Sequence, residues 1–269
     1  MTQLHHLLIA IGLNLVLAIG ARIAKLLTTS GAIGAFFVGA VVLYFLNFGG
    51  WVILLLFFLT SNVLGRLSRS QVDTSAIQKK GGPRDWAQVG ANGVLAGGAA
   101  LFYALGGGTL ALVMFGASVA AATSDTWASE AGVLSRTPPV SITTFRVVPR
   151  GMSGGITWLG TMSSIVGSLV IALAWYATFV PYNDRRSLFL ASIVALSGVV
   201  GAFVDSLLGA TLQGHYWDPD KKQITEHSAI DGKKLELCRG VRWIDNDVVN
   251  FLSNAIAVMV GGGLSLLFL

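Results

Sequence analysis

Cysteine is almost missing from this chain. Cys238 stands alone among 269 residues, so no disulfide forms within the chain and CxxC redox or zinc motifs are excluded. Charge is scarce as well: Asp, Glu, Lys and Arg make up 12% of the residues against 54% apolar ones, and the mean hydropathy is +0.70. So little charge cannot cover the surface of a water-soluble globule, which makes this an integral membrane protein. HExxH, GxSxG and the phosphate-cradling GxxxxGK[ST] are all absent, removing zincin, α/β-hydrolase and P-loop chemistry. The four histidines give zinc no ligand set: His5 and His6 are adjacent near one end, and His215 and His227 lack ligand spacing. No basic run with interleaved aromatics exists, so the net charge of +5 is no nucleic-acid surface.

What the sequence does have is long uncharged runs. A bilayer core takes about 20 apolar residues as helix, and these runs do not alternate as barrel strands do. The sequence predicts an all-α polytopic transmembrane bundle of about eight spans, near residues 5–22, 31–48, 50–65, 86–105, 108–124, 154–180, 187–212 and 248–269. The third and fifth runs are short, so seven or nine spans remain alternatives. Residues 1–269 read as a single membrane domain, with the first run a retained helix because "MTQLHHLL" lacks a basic n-region.

With the N terminus outside, connections 22–30, 65–85, 125–153 and 213–247 share one side and hold sixteen of the eighteen Lys and Arg residues, while Arg185 and Arg186 lie opposite. The positive-inside rule makes the crowded side cytoplasmic and both termini external. Twelve of the thirteen acids also sit at or near that side, Asp184 being the exception. Lipid headgroups attract only bases, so both signs at helix ends point to a polar site. The segment 213–245 reads as a small cytoplasmic hairpin of two short strands around an "IDGK" turn, serving as a cover or interaction element.

A faint repeat marks the helix ends at that side. Asp125-Thr126-x-x-Ser129 closes the fifth span, Asp205-Ser206-x-x-Gly209 the seventh, and Asn62-x-x-Gly65, without an acid, the third. Carboxylates at the ends of apolar helices are paired, face a cavity, or lie level with the headgroups. Asp125, Glu130 and Asp205 together offer the hard oxygen ligands that Mg²⁺ takes alongside substrate phosphates. Arg84, Gln88 and Asn92 recur every four residues in "KKGGPRDWAQVGANG" and form a polar stripe. The stripe binds a polar head or joins helices by hydrogen bonds; Lys79 and Lys80 fit ordinary positive-inside residues. Asn246, Asn250 and Asn254 form a second stripe in "RWIDNDVVNFLSNA", where Asp245 and Asp247 also suit a helix start. "VPRGMSGGIT" places Arg150, Ser153 and Gly154 before the sixth span, either as an anion site or as a close-packing glycine cluster.

At this point a resemblance becomes specific. "GGPRDWAQVGANG", "SDTWASEAG", "PRGMSGGIT", "DSLLGATLQ" and "RWIDNDVVN" resemble, in order, the signature blocks of the transmembrane protein 19 family, which includes the phytyl-phosphate kinases of chlorophyll salvage and vitamin E synthesis. The match runs from roughly Lys79 to Asn250. The resemblance implies a helical membrane enzyme that moves a phosphoryl group from CTP, or another nucleoside triphosphate, to an isoprenoid monophosphate, in a bacterial inner or photosynthetic membrane. It implies Mg²⁺ at Asp125, Glu130 and Asp205, with Arg150 beside them in the catalytic set. Arg84, Arg150 and Arg242 are expected on phosphates, Lys80 in substrate or nucleotide binding, Asn92, Asn246 and Asn250 on substrate, Asp85 and Asp247 beside the substrate as alternates for the metal, and Ser153 and Gly154 in the Gly-rich block. Met152 departs from the pattern where Thr is common, and the paired cysteines of some relatives are reduced here to Cys238 and His227. A lipid-alcohol kinase, a cytidylyltransferase and a transporter of a phosphorylated metabolite are the alternatives.

Overall fold

The computed structural model describes residues 3–79, 81–179 and 185–269; Lys80, expected in substrate or nucleotide binding, lies outside them. The helices are α1 (Gln3–Ile23), α2 (Thr29–Gln71), α3 (Trp86–Phe102), α4 (Gly108–Gly132), α5 (Trp158–Phe179), α6 (Arg185–Thr211) and α7 (Asn246–Ser265), with a π-turn at Tyr103–Gly107 joining α3 to α4. Counting α3 to α4 as one, six helices are long and apolar enough to cross a membrane among the described residues.

Two of those six fold back on themselves. In α2 the break is Asn47, at φ 56 and ψ −166. Asn14 of α1 shows the consequence: its Oδ1 accepts from Trp51 Nε1 at 3.0 Å and lies 2.1 Å from where a Cβ on Gly39 would stand. In an unbroken helix residues 39 and 51 would be about 18 Å apart. The α3–α4 run breaks at Gly106 and Gly108, both with positive φ (97° and 51°), which glycine adopts without steric cost. Gln88 and Asp125 then line one cavity, although an unbroken helix would separate them by about 55 Å. The described chain therefore has eight apolar helical segments.

Their limits differ from the hydropathy runs in one systematic way. The second arm of α2 continues to Gln71 and α4 to Gly132, beyond the expected ends at 65 and 124. Helical hydrogen bonding does not stop where apolar composition does, so Arg66, Arg69, Asp125 and Glu130 stand on helices. Conversely α5 begins only at Trp158, because Gly151 and Gly154 hold positive φ before it. Local chemistry fixes several starts: Thr28 caps α2 by accepting from Gly31 N at 3.1 Å, and Asp245 caps α7.

Helix α4 lies at the centre, against α2, α3, α5, α6 and α7, and Val113, Phe115, Ala117, Val119 and Ala120 are all buried. Small residues let the backbones approach. A Cβ on Gly198 of α6 would lie 2.1 Å from Ser168 Oγ and 2.8 Å from Ala120 Cβ, and one on Gly116 would lie 2.6 Å from the Trp175 ring. The segment after α6 holds more strands than the two expected. β3 (His215–Asp218), between β4 (Gln223–Thr225) and β7 (Glu236–Arg239), makes an antiparallel sheet; β5 (Ala229–Ile230) pairs with β6 (Lys233–Lys234) through the expected turn at Asp231 and Gly232, both at positive φ. Before α5, β1 (Val140–Ser141) pairs with β2 (Gly155–Ile156).

Candidate functional site

The charged connections meet at one end of the bundle. Arg84 N donates to Leu26 O and Arg84 O accepts from Thr28 N, both at 3.0 Å, while Glu226 N donates to Ile77 O and Thr225 Oγ1 to Ala76 O, both at 2.9 Å. Beneath the sheet segment these contacts leave a polar cavity of about 310 Å³, with a smaller one of about 90 Å³ beside it. Asp125 and Asn246 line both.

Asp125 and Asp205 come together there. Their carboxyl groups are half-buried and within hydrogen-bonding reach of each other. Asp205 Oδ2 accepts from Ser253 Oγ at 3.0 Å and from the Asn250 amide at 2.8 Å; Asn250 Oδ1 in turn accepts from Asn246 Nδ2 at 3.2 Å. The second asparagine stripe thus orients one acid of the pair. Its third member does something else: Asn254 Nδ2 donates to Ser118 O at 3.2 Å and joins α7 to α4.

Glu130, the third expected metal ligand, does not complete a three-acid cluster. Five residues beyond Asp125 it has turned away, and it faces Arg69 at 3.8 Å and accepts from Ser68 Oγ. Among the described residues no three His, Cys, Asp or Glu side chains are grouped to hold a metal ion. Gly65 makes room for Glu130, since a Cβ there would lie 2.9 Å from its Oε1. The weak third copy of the repeat therefore receives an acid from another helix. Arg69 and Ser68 are site residues that sequence reasoning missed.

Three further expectations are corrected by what the side chains touch. Arg150 is no free cation: Nη1 donates to Val133 O at 2.8 Å and Ser135 O at 2.6 Å, fastening the loop after α4. The Gly-rich turn is an anion site with an internal occupant, because Ser153 N donates to Glu226 Oε1 at 3.2 Å and Ser153 Oγ donates to the same oxygen. Gly154 there lets the turn pack on Ala210 of α6. Asp85 caps α3: its Oδ1 accepts from Gln88 N at 3.0 Å while Gln88 Oε1 accepts from Asp85 N at 3.2 Å, a capping box. Gln88 thereby leaves the polar stripe to Arg84 and Asn92.

Arg84 stays at the cavity wall, its guanidinium 5.6 Å from the Phe57 ring centre. Burial pushes its pKa down, and the Glu130 charge opposes that shift, so it remains a cation. Arg242 and Asp247 line the cavity too, Arg242 exposed and Asp247 buried in the first turn of α7.

His215 and Glu226 give the sheet segment its own pH response. His215 is fully buried, Nδ1 donates to Gln213 O at 2.9 Å, and burial followed by the Arg239 charge pushes its pKa from 6.5 down to about 4. Between those values the unfolded chain binds the extra proton, so stability rises with pH and is lost on acidification, by about 3 kcal/mol for this group. Glu226, whose pKa burial raises above 4.5, acts with the opposite sign, losing its contribution as pH rises. Comparing variants isolates the histidine: on going from pH 7.5 to pH 5, thermal unfolding of the wild type should shift down further than that of His215→Gln. Equal shifts would show that His215 is not held neutral.

The chain is 33% identical to the uncharacterized membrane protein MJ0933 of Methanocaldococcus jannaschii, over 79% of this chain and 86% of that protein. It is 28% identical to Protein PGR of Arabidopsis thaliana over 92% of each chain. Protein VTE6, chloroplastic, of the same plant is 24% identical over 87% of this chain and 64% of its own length. No solved structure matches. The family described as integral membrane protein DUF92 matches residues 12–258, and the chain belongs to that family.

Proposed function

We propose that this protein is an isoprenoid-monophosphate kinase of phytyl type, using CTP or another nucleoside triphosphate. The observation that carries the reading is the facing Asp125–Asp205 pair, oriented by Ser253 and Asn250, where Asp125 lines the polar cavity together with Arg84 and Asp205 lines the smaller one beside it. The five resembling blocks, and kinship with a chloroplastic protein over most of the chain, support the same substrate class. Eight crossings, with the charged end cytoplasmic, would put the cavity where a nucleotide arrives from water and a lipid phosphate from the bilayer.

The pair fits Mg²⁺, an ion commonly held by one or two carboxylates plus substrate phosphates. Asp125 and Asp205 would hold it, and bound there it would neutralise charge on the phosphates. In the reaction an oxygen of the isoprenoid monophosphate attacks the γ-phosphorus. The bond from that phosphorus to the β–γ bridging oxygen breaks, and the nucleoside diphosphate leaves. Such transfer asks chiefly for positioning and for cations around the moving charge. Arg84 faces the phosphates, Arg242 stands at the exposed edge, and Asn92, Asn246 and Asn250 orient the reactants. No general base is required, since a phosphate monoester is already anionic at neutral pH.

Purified protein given Mg²⁺, γ-phosphate-labelled CTP and phytyl, geranylgeranyl or farnesyl monophosphate should place label in a lipid diphosphate. No transfer from folded protein with any nucleotide would overturn the reading. A CDP-lipid formed with release of pyrophosphate would replace it with a cytidylyltransferase.

A further inference from the structure

A third and larger space adjoins the polar cavity. It measures about 440 Å³ and lies between α1, both arms of α2 and α3, within the range of about 300–1,000 Å³ that encloses a small ligand. Its walls are mainly apolar, among them Leu17, Leu27, Leu55 and Phe58, and among the described residues no carboxylate lines it. The Asn14–Trp51 hydrogen bond of 3.0 Å stands at one end. Arg84, Gln88 and Asn92 are at the other, and these three line the polar cavity as well. From Asn14 to Ala24 along α1 the groove extends for about 15 Å.

The side of this groove opens where lipid would be. Val16 and Leu59, on facing elements of its lining, are 66% and 53% exposed. A long apolar channel with a lateral opening, no negative charge and one guanidinium at its polar end is complementary to a single hydrocarbon chain with an anionic head.

We infer that the α1–α2–α3 groove holds the tail of the isoprenoid phosphate, with Arg84 at the junction meeting its phosphate. The inference rests on the kinase reading for the identity of the lipid. The location of the tail can be tested without turnover.

Gly20 gives a clean probe. It lines the groove, and a Cβ added there meets nothing within 4 Å. Gly20→Phe therefore adds its bulk at the groove from a position where the Cβ itself meets no packed atom. Gly12, on the same helix, equally has nothing within 4 Å of an added Cβ but does not line the groove, so Gly12→Phe is the matched control.

The experiment uses the full chain in phosphatidylcholine nanodiscs with geranylgeranyl monophosphate carrying a diazirine at the tail end, photolysed and mapped by peptide mass spectrometry. Label is expected on residues 14–27 and 51–59, competed by unlabelled geranylgeranyl monophosphate. Gly20→Phe should lower it about tenfold and Gly12→Phe should leave it unchanged. Label spread over the lipid-facing surface and equal in both variants would overturn the groove as the tail site. Competition by geranylgeraniol as effective as by the monophosphate would overturn the role of Arg84. Specific groove labelling without phosphoryl transfer would uphold the groove while removing the kinase reading.

Discussion

Asp205→Asn should lower phosphoryl transfer about a thousandfold or more while leaving the protein folded, and Asp125→Asn should do the same. The substitution changes the site very little in shape. Asp205 is packed by Ser253 and Asn250, and an amide of equal size can keep its one oxygen toward Ser253 Oγ. What disappears is one negative charge of a facing pair. Two carboxylates in reach of each other repel in the absence of a cation, so each single variant should unfold at or above the wild-type temperature. Loss of activity with undiminished stability separates a ligand role from a packing role. The double variant should be hardly slower than either single one, because the pair acts as a unit. Near-normal turnover in both single variants would remove the pair from the reaction.

Much of the site was legible in the sequence where its signal is local. Asp125 and Asp205 announce themselves as the acids that close two apolar runs, and the break at Asn47 falls between two hydropathy maxima. The asparagine stripe of α7 is readable because helical spacing alone puts Asn246 and Asn250 on one face. What stayed hidden was pairing across the fold. Arg150 looked like a phosphate ligand because no sequence pattern announces that the carbonyls of Val133 and Ser135 will lie beside it. The turn at Ser153 was readable as an anion site, yet its carboxylate arrives from Glu226, seventy-three residues later. Glu130 was grouped with its neighbour Asp125 by proximity in the chain, whereas the helix rotates it toward Arg69. Asp85 was the reverse case, since Asp-x-x-Gln is a capping signal that the charge reading outweighed.

Gly154→Ala tests whether that turn is held by packing, and it should be among the most damaging single-atom additions to this chain. Gly154 sits at φ +80, and a Cβ there would be 2.5 Å from both the backbone N and the Cβ of Ala210. The obstacle is helix backbone, which cannot swing aside as a long side chain could. Gly232→Ala supplies the comparison, for Gly232 has φ +78 but nothing within 4 Å of an added Cβ. Backbone conformation alone should cost Gly232→Ala about 1 kcal/mol. Gly154→Ala carries that cost plus overpacking, about 2–4 kcal/mol in all. Because Ser153 is the next residue, moving the turn off α6 also separates its N–H and hydroxyl from Glu226. Hydrogen exchange across residues 212–245 should therefore speed up in Gly154→Ala, while in Gly232→Ala the change stays at the β5–β6 turn. If the two variants unfold at the same temperature with the same exchange pattern, the turn is not seated on α6, and its glycines would have to be explained by a ligand instead.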